Sequence, residues 1–541
     1  MKIGLVTLPV WISLTFISGY SAGHINPGDS LRQVEWLHLD PADDSIAGIS
    51  LNKAYTLLKG KPSKTVLVAI IDSGVDIDQE DLKSSIWDNP GEIPGNGIDD
   101  DHNGYTDDIH GWNFQGGPDS DVVFDTYELT REYVRLSKIY KDEKEGKGKE
   151  FEYWDKIRTK YMEEAGKSME GYENYKDLIH NIPRYFSLVR DYLDVDTLKL
   201  ADLDHVVSED TIVEEAISVV KRLMSYYGDN PPLNSIMGGM SDGLEYYETQ
   251  VKYGYNPDYD PRSMVHDHYS DPEERNYGNN HCWDFSGMEG SHGTHVSGII
   301  AADRDNRLGI RGIADHVKIM PIRAVPSGDE RDKDIASAIY YAVNNGARVI
   351  NMSFGKDYSP NREAVEKAIK YAESSNVLLI HAAGNDGKDI DNEPDYPTKK
   401  FIKGKKEAWN MLEVGASSKH ISDKLIASFS NYGKDRVDLF APGVNIWSTM
   451  PGQTFKPSSG TSMAAPVVTG VAALLMEYFP ELSVRTIRDI LVNSVWKYSG
   501  DVTIPGTKEK TKLEDLCVSG GIVNAYQAVK LAMNPDKMKK P

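Results

Sequence analysis

Ser462 opens the stretch GTSMAAPVVTGVAALLMEYFP (460–480), where a run of small residues meets a long apolar segment. A hydroxyl at the mouth of a helix has two uses. It can cap the helix by accepting an orphan backbone N–H bond, or it can act as a nucleophile where backbone N–H groups stabilise a developing oxyanion. A serine hydroxyl is a weak nucleophile at neutral pH until a base takes its proton. Histidine can do that and later protonate a leaving amine, and a buried carboxylate keeps its ring in the productive tautomer. Residues of these types occur in IIDSGVD around Asp72, SHGTHVSGIIAA around His292 and AAGNDG around Asn385.

Taken together, and in the order Asp, His, Asn, Ser, these four stretches resemble the subtilisin-like serine proteases, the subtilases. The resemblance covers residues 48–118 and 263–535. It implies that Asp72 is the orienting acid, His292 the base and Ser462 the nucleophile of an acyl transfer on polypeptide. Asn385 would donate its side-chain amide to the oxyanion beside the Ser462 N–H. The segment NMSFG (351–355) is similar to the subtilase edge that pairs with an extended peptide. Ser353, Phe354 and Gly355 would line that cleft, facing Ala382, Ala383 and Gly384. Phe354 stands where family members often carry Leu, which leaves the side-chain preference open. His295, three residues after His292, is implied to be structural, and Asp76 to hydrogen-bond backbone at its turn.

The elements that must hold these residues read as α/β. The apolar, β-branched run TVLVAII (65–71) ends at Asp72, as a buried parallel strand would. A carboxylate there sits where open α/β sheets place ligands. VKIMPIRAV, ARVINMSFG and VLLIHAAGN alternate with the helical patterns DIASAIYYAVNNG and NREAVEKAIKYAESSN. GISLNKAYTLLKG (48–60) reads as a further helix. The expectation is a three-layer α/β/α fold with a mostly parallel central sheet.

His292 lies 220 residues after Asp72, and the intervening segment has a different composition. Residues 119–262, rich in Glu, Lys, Asp and Tyr, read as a helical insert. Leu129, Tyr133, Leu136 and Tyr140 trace one helical face, and Val213, Ala216, Ile217, Val220 and Leu223 another. NPP at 230–232 and the GGMSDG stretch are expected to break the insert. Tripeptidyl-peptidase II-like subtilases also carry a large insert, so an insert-restricted exopeptidase is an alternative to an endopeptidase. A subtilase-fold binding protein without turnover is the other.

NGIDDDHNGYTDDIHGW (96–112) sets Asp99, Asp101, Asn103 and Tyr105 in an EF-hand-like order around Gly104. His110 stands where the usual closing Glu would be, so Asp107 or Asp108 would supply the last carboxylate. A structural Ca²⁺ is expected there. By resemblance, Asp81 with Asp303, Asn306, Leu308 and Ile310 would hold a second, largely through carbonyls. No organic cofactor is expected.

The formal net charge of −23 argues against a nucleic-acid partner held through phosphates. Residues 1–23 carry a signal-peptide pattern, one Lys before an apolar run and then small residues. They imply export to the periplasm or outside the cell, with no stable membrane association after cleavage. An N-terminal extension (24–47) follows, too short for a standard propeptide domain, and a tail (536–541) closes the chain. The two cysteines, Cys282 and Cys517, could pair after export or stay free. Oligomeric state is left open.

Overall fold

A computed structural model describes residues 34–140, 148–283, 290–403 and 406–537. The expected signal peptide, the first part of the extension and the end of the tail lie outside the described residues. Among the described residues there are two compact units, 34–128 with 260–537, and 129–259.

The first unit is built on seven strands, β1 (Val66–Asp72), β2 (Trp112–Asn113), β3 (Val317–Arg323), β4 (Val349–Met352), β5 (Leu378–Ala382), β6 (Met411–Ser417) and β7 (Leu439–Pro442). They form one sheet in the order β2-β3-β1-β4-β5-β6-β7, with every pairing parallel. Helix α1 (Leu51–Leu58) precedes the sheet. Alternation along β1 defines the layers, because successive side chains point to opposite faces. Val66, Val68 and Ile70 join a core with Val296, Ile299 and the apolar helix residues Val467, Val471 and Leu474. Ala69 and Ile71 turn the other way, to Ile335, Ile339, Val365 and Ile369. The three-layer α/β/α expectation is met.

The register places the functional edge. Ile71 pairs with Met352, and Met352 with His381. The C-terminal ends of β1, β4 and β5 are therefore level, and Asp72, Ser353 and Gly384 leave the sheet along one edge.

The second unit is helical. Its elements run through α2 (Glu128–Tyr140), α3 (Lys149–Leu193), α4 (Thr211–Tyr227) and α5 (Leu233–Thr249). Both faces read from the sequence are helices; periodicity did not disclose α3, 45 residues long, or α5. Ile182, Phe186 and Val189 of α3 pack with Val213, Ile217 and Val220 of α4 and Ile236 of α5. NPP does break the chain before α5, but the GGMSDG stretch does not: Gly238, Gly239 and Gly243 lie inside α5. Close packing explains them. A Cβ at Gly239 would lie 2.3 Å from the Tyr227 hydroxyl, and one at Gly243 2.3 Å from the Tyr175 ring. The unit is also narrower than the expected 119–262. Its flanks belong to the α/β unit, where Glu128 pairs with Lys356, and Asp125 and Asp260 both pair with Arg331.

In the α/β unit, α6 (Ser291–Ala301), α7 (Asp332–Asn344), α8 (Arg362–Ser374), α9 (Thr461–Tyr478), α10 (Val484–Asn493) and α11 (Ala525–Ala532) complete the layers. Among the described residues α9 alone has the length and hydropathy of a membrane span, but 89% of that window is buried, so it is the core helix. Cys282 and Cys517 are both buried free thiols, not a disulfide.

Candidate active site

Asp72 ends β1 and is 2% exposed. Its Oδ1 accepts the Ser73 N–H at 2.8 Å and lies 2.8 Å from His292 Nδ1. His292 is the second residue of α6, and its ring is only partly buried. Burial alone lowers the imidazole pKa. The Asp72 charge and hydrogen bond outweigh it, and the net shift is upward. Gly293 allows this approach, because a Cβ there would lie 2.1 Å from the Gly74 carbonyl oxygen.

Ser462 is the second residue of α9, and Gly460 is its N-cap without a side-chain cap bond. Neither Thr461 nor Ser462 therefore caps the helix. The Ser462 hydroxyl donates to the Ser353 carbonyl at 3.1 Å. Pro466 stands inside α9 and has no N–H for the Ser462 carbonyl four residues earlier. The Ser353 hydroxyl takes that role, donating to the Ser462 carbonyl at 3.0 Å while accepting from Asn351 Nδ2 at 2.9 Å. Sequence reasoning placed Ser353 on the cleft wall but missed this brace. The signal was available in Pro466, which always frees a carbonyl.

Asn385 has a fixed orientation. Its Oδ1 accepts both the Thr461 N–H at 2.8 Å and the Thr461 hydroxyl at 3.0 Å. The Thr461 hydroxyl in turn accepts the Gly384 N–H at 3.1 Å. The Asn385 Nδ2 amide has no partner among the described residues and lies beside Gly460, at the start of α9.

The other sequence candidates separate by environment. His295 is buried, with Nε2 3.1 Å from the Lys456 carbonyl, and burial with the His292 charge pushes its pKa down to about 3. Asp76 accepts the Asp78 and Gly452 N–H groups at its turn. Phe354 is half-buried, and its carbonyl meets His381 Nε2 at 2.8 Å. Ala382 and Ala383 are 3% and 1% exposed in the core, so their side chains do not line the cleft; Gly384 remains on its surface.

The acidic loop gathers Asp99, Asp101, Asn103 and Asp108. Asn103 N–H bonds Asp99 and Asp101, and Asn103 Nδ2 bonds Asp108. Asp107 faces away and accepts the Asn96 and Gly97 N–H groups. The Tyr105 ring is packed edge-on against Trp112 and Tyr341, so only its backbone is open to the loop. Glu92, which the sequence pattern missed, joins from outside the motif, with oxygens of Glu92, Asp99 and Asp101 mutually within 4.8 Å. No Lys or Arg pairs with these carboxylates among the described residues. Burial pushes Asp108 up to about 6.

Around the second set, Asp81 is fully buried and is likewise pushed up to about 6, by burial first. It accepts from Asn306 Nδ2 at 2.7 Å and from the Ile310 N–H at 3.1 Å. Asp303 reaches it through a backbone bond to the Asp81 carbonyl. The Leu308 N–H donates to Asn306 Oδ1 at 2.8 Å. Both sets leave buried carboxylate charge answered by neutral donors, and so fit a hard cation.

The Subtilase family model (Peptidase_S8) matches residues 63–521. The chain belongs to the subtilase family. It is 43% identical over 187 residues to the thermophilic serine proteinase of Bacillus sp. (strain AK1), a match covering 34% of this chain and 42% of that protein. It is 38% identical over 202 residues to subtilisin DY of Bacillus licheniformis, covering 37% of this chain and 68% of that one. A structure of the PatA protease domain is 28% identical, with a TM-score of 0.37 over 47% of this chain and 84% of that one. The matched part thus spans less than half of the thermophilic proteinase.

Proposed function

We propose that this subtilase is an exported serine endopeptidase acting through Asp72, His292 and Ser462. The observation that carries the reading is the 2.8 Å bond from His292 Nδ1 to a buried Asp72 carboxylate, at the sheet edge where Ser462 opens α9. That bond leaves Nε2 as the nitrogen available to take the Ser462 proton.

Ser462 Oγ turns from the Ser353 carbonyl, gives its proton to His292 and attacks the substrate carbonyl. The oxyanion is held by Asn385 Nδ2 and the Ser462 N–H. His292 then protonates the leaving amine, the C–N bond breaks, and water activated by the same base releases the acyl group. The substrate backbone lies along Ser353, Phe354 and Gly355 on one side and Gly384 on the other.

In this reading the acidic loop would hold a structural Ca²⁺ through Asp99, Asp101, Asn103, Asp108, Glu92 and the Tyr105 carbonyl. A second ion is supported at Asp81, with Asp303, Asn306, Leu308 and Ile310 around it. Export is supported by the signal pattern and by a cell wall-associated protease of Bacillus subtilis among the relatives.

The test is casein hydrolysis and fluorophosphonate labelling by the protein and by Ser462→Ala, each with Ca²⁺ or EDTA. Cleavage and labelling by the parent alone, weakened by EDTA, are expected. A folded parent that neither cleaves nor labels overturns the protease reading. Release of tripeptides from short peptides with casein intact favours the exopeptidase.

A further inference from the structure

The segments that follow β4 and β5 each carry a glycine beside the same foreign carboxyl group. A Cβ at Gly355 would lie 2.9 Å from Asp395 Oδ1, and one at Gly384 would lie 2.4 Å from Asp395 Oδ2. The Asp395 side chain therefore occupies the space that side chains of these two wall segments would need. Gly384 is also at φ +98°, so its lack of a side chain is required twice over.

Asp395 is locked in that place. Lys356 and Tyr396 exchange backbone hydrogen bonds of 3.1 and 2.9 Å, which ties residue 395 to the Gly355 segment. Asp395 Oδ1 accepts the Tyr396 N–H at 3.0 Å. Oδ2 has no hydrogen bond among the described residues, although the residue is 8% exposed. The surrounding charge is mostly of one sign. Asp357, Asp386 and Glu330 add negative charge, and Lys388 opposes them. The Lys388 ammonium is already engaged by Asp357 at 2.6 Å and by Asp386 at 3.5 Å. Burial raises the Asp395 pKa well above the ordinary range; Lys388 opposes the shift and the neighbouring carboxylates add to it.

Gly384 directly precedes Asn385, the oxyanion donor in the reading above. Asp395 Oδ2 thus lies beside the residue that precedes the oxyanion donor, and in that reading close to the carbonyl under attack. We propose that Asp395 makes this cleft select a lysine or arginine side chain on the acyl side of the scissile bond. The inference rests on the proposed peptidase activity. An apolar side chain there would cover an unpaired carboxylate oxygen and leave it without water, whereas an ammonium or guanidinium supplies both charge and donor.

The test uses peptide amides that differ only at that position, carrying Lys, Arg, norleucine or Phe. The expected kcat/KM for Lys and Arg exceeds that for norleucine by about 30-fold or more, the scale of a charge-assisted hydrogen bond in a partly dry site. In Asp395→Asn the Lys-to-norleucine ratio collapses towards unity while the variant still takes a fluorophosphonate at Ser462. Benzamidine protects the parent from that probe but not Asp395→Asn. A parent that labels and cleaves, yet prefers norleucine or Phe, overturns the inference and leaves the peptidase reading standing. A folded parent that neither labels nor cleaves overturns the peptidase reading itself. If Asp395→Asn does not fold, the parent's ratio and its benzamidine protection decide the matter alone.

Discussion

The two units of this chain bury different things. The α/β unit buries charge: Arg331 with Asp125, Lys399 with Asp438, Arg262 with Asp334, and Asp72 under His292. The helical unit buries mainly apolar side chains, Ile182, Phe186, Val189, Val220 and Ile236, with Glu132, bound by Arg135 and Tyr153, and the 2.6 Å Ser168–Gln250 bond among its polar exceptions. Directional bonds fix atoms to a fraction of an ångström, whereas aliphatic packing tolerates exchange at constant volume. Chemistry that depends on placed atoms therefore belongs to the first unit, and the second is free to change its sequence within a pattern.

Substitutions can break that division. Ser462→Ala should lower kcat by about 10⁶-fold, the loss known for subtilisin triads, with the melting temperature retained. Asn385→Ala should cost about 10²–10³ in kcat, the known price of losing this donor in subtilisin, with KM little moved. In the helical unit, Phe186→Ala should cost about 3–5 kcal/mol of that unit's stability by cavity formation, read by denaturant melts. Its kcat per folded molecule should be unchanged, and a parallel fall in kcat would end the division drawn above.

Smaller effects sharpen it. In the proposed mechanism His292 acts as neutral imidazole, and Asp72 raises its pKa. The acid limb of kcat/KM should therefore have its midpoint above the ordinary histidine value of 6.5. Activity is lost as pH falls through that midpoint, and Asp72→Asn should move it down. His295, held near 3, should contribute nothing to the profile. Ser353→Ala removes the donor to the carbonyl that Pro466 leaves open, and should cost about 1 kcal/mol in stability.

Much of this was legible in the sequence because the informative residues sit at strand ends. TVLVAII fixes β1 and hence the edge on which Asp72 lies, and the helical spacing of Val213, Ile217 and Val220 fixes α4. What escaped depends on contacts between distant segments. Glu92 lies seven residues before Asp99, outside the EF-hand spacing, and joins the loop by accepting the Asp100 and Asp101 N–H groups. Asp395 reaches Gly355 only through the Lys356–Tyr396 bridge. The glycines of α5 read as breakers because propensity is local, whereas Tyr227 and Tyr175, which need the room, lie on other helices.

The two thiols supply a clock. Burial pushes the Cys282 thiol up to about 12, and its backbone carbonyl accepts the Val75 N–H three residues after Asp72. Cys517 sits in a separate cluster with Phe440 and Ile522. Neither is reactive while folded, since the thiolate is the nucleophile. With a cysteine-specific reagent under native conditions, adduct formation at each position would time the opening of its own neighbourhood. The helical unit, which holds no cysteine, would stay silent, so the unlabelled natural chain reports separately on the breathing of the corner around Asp72.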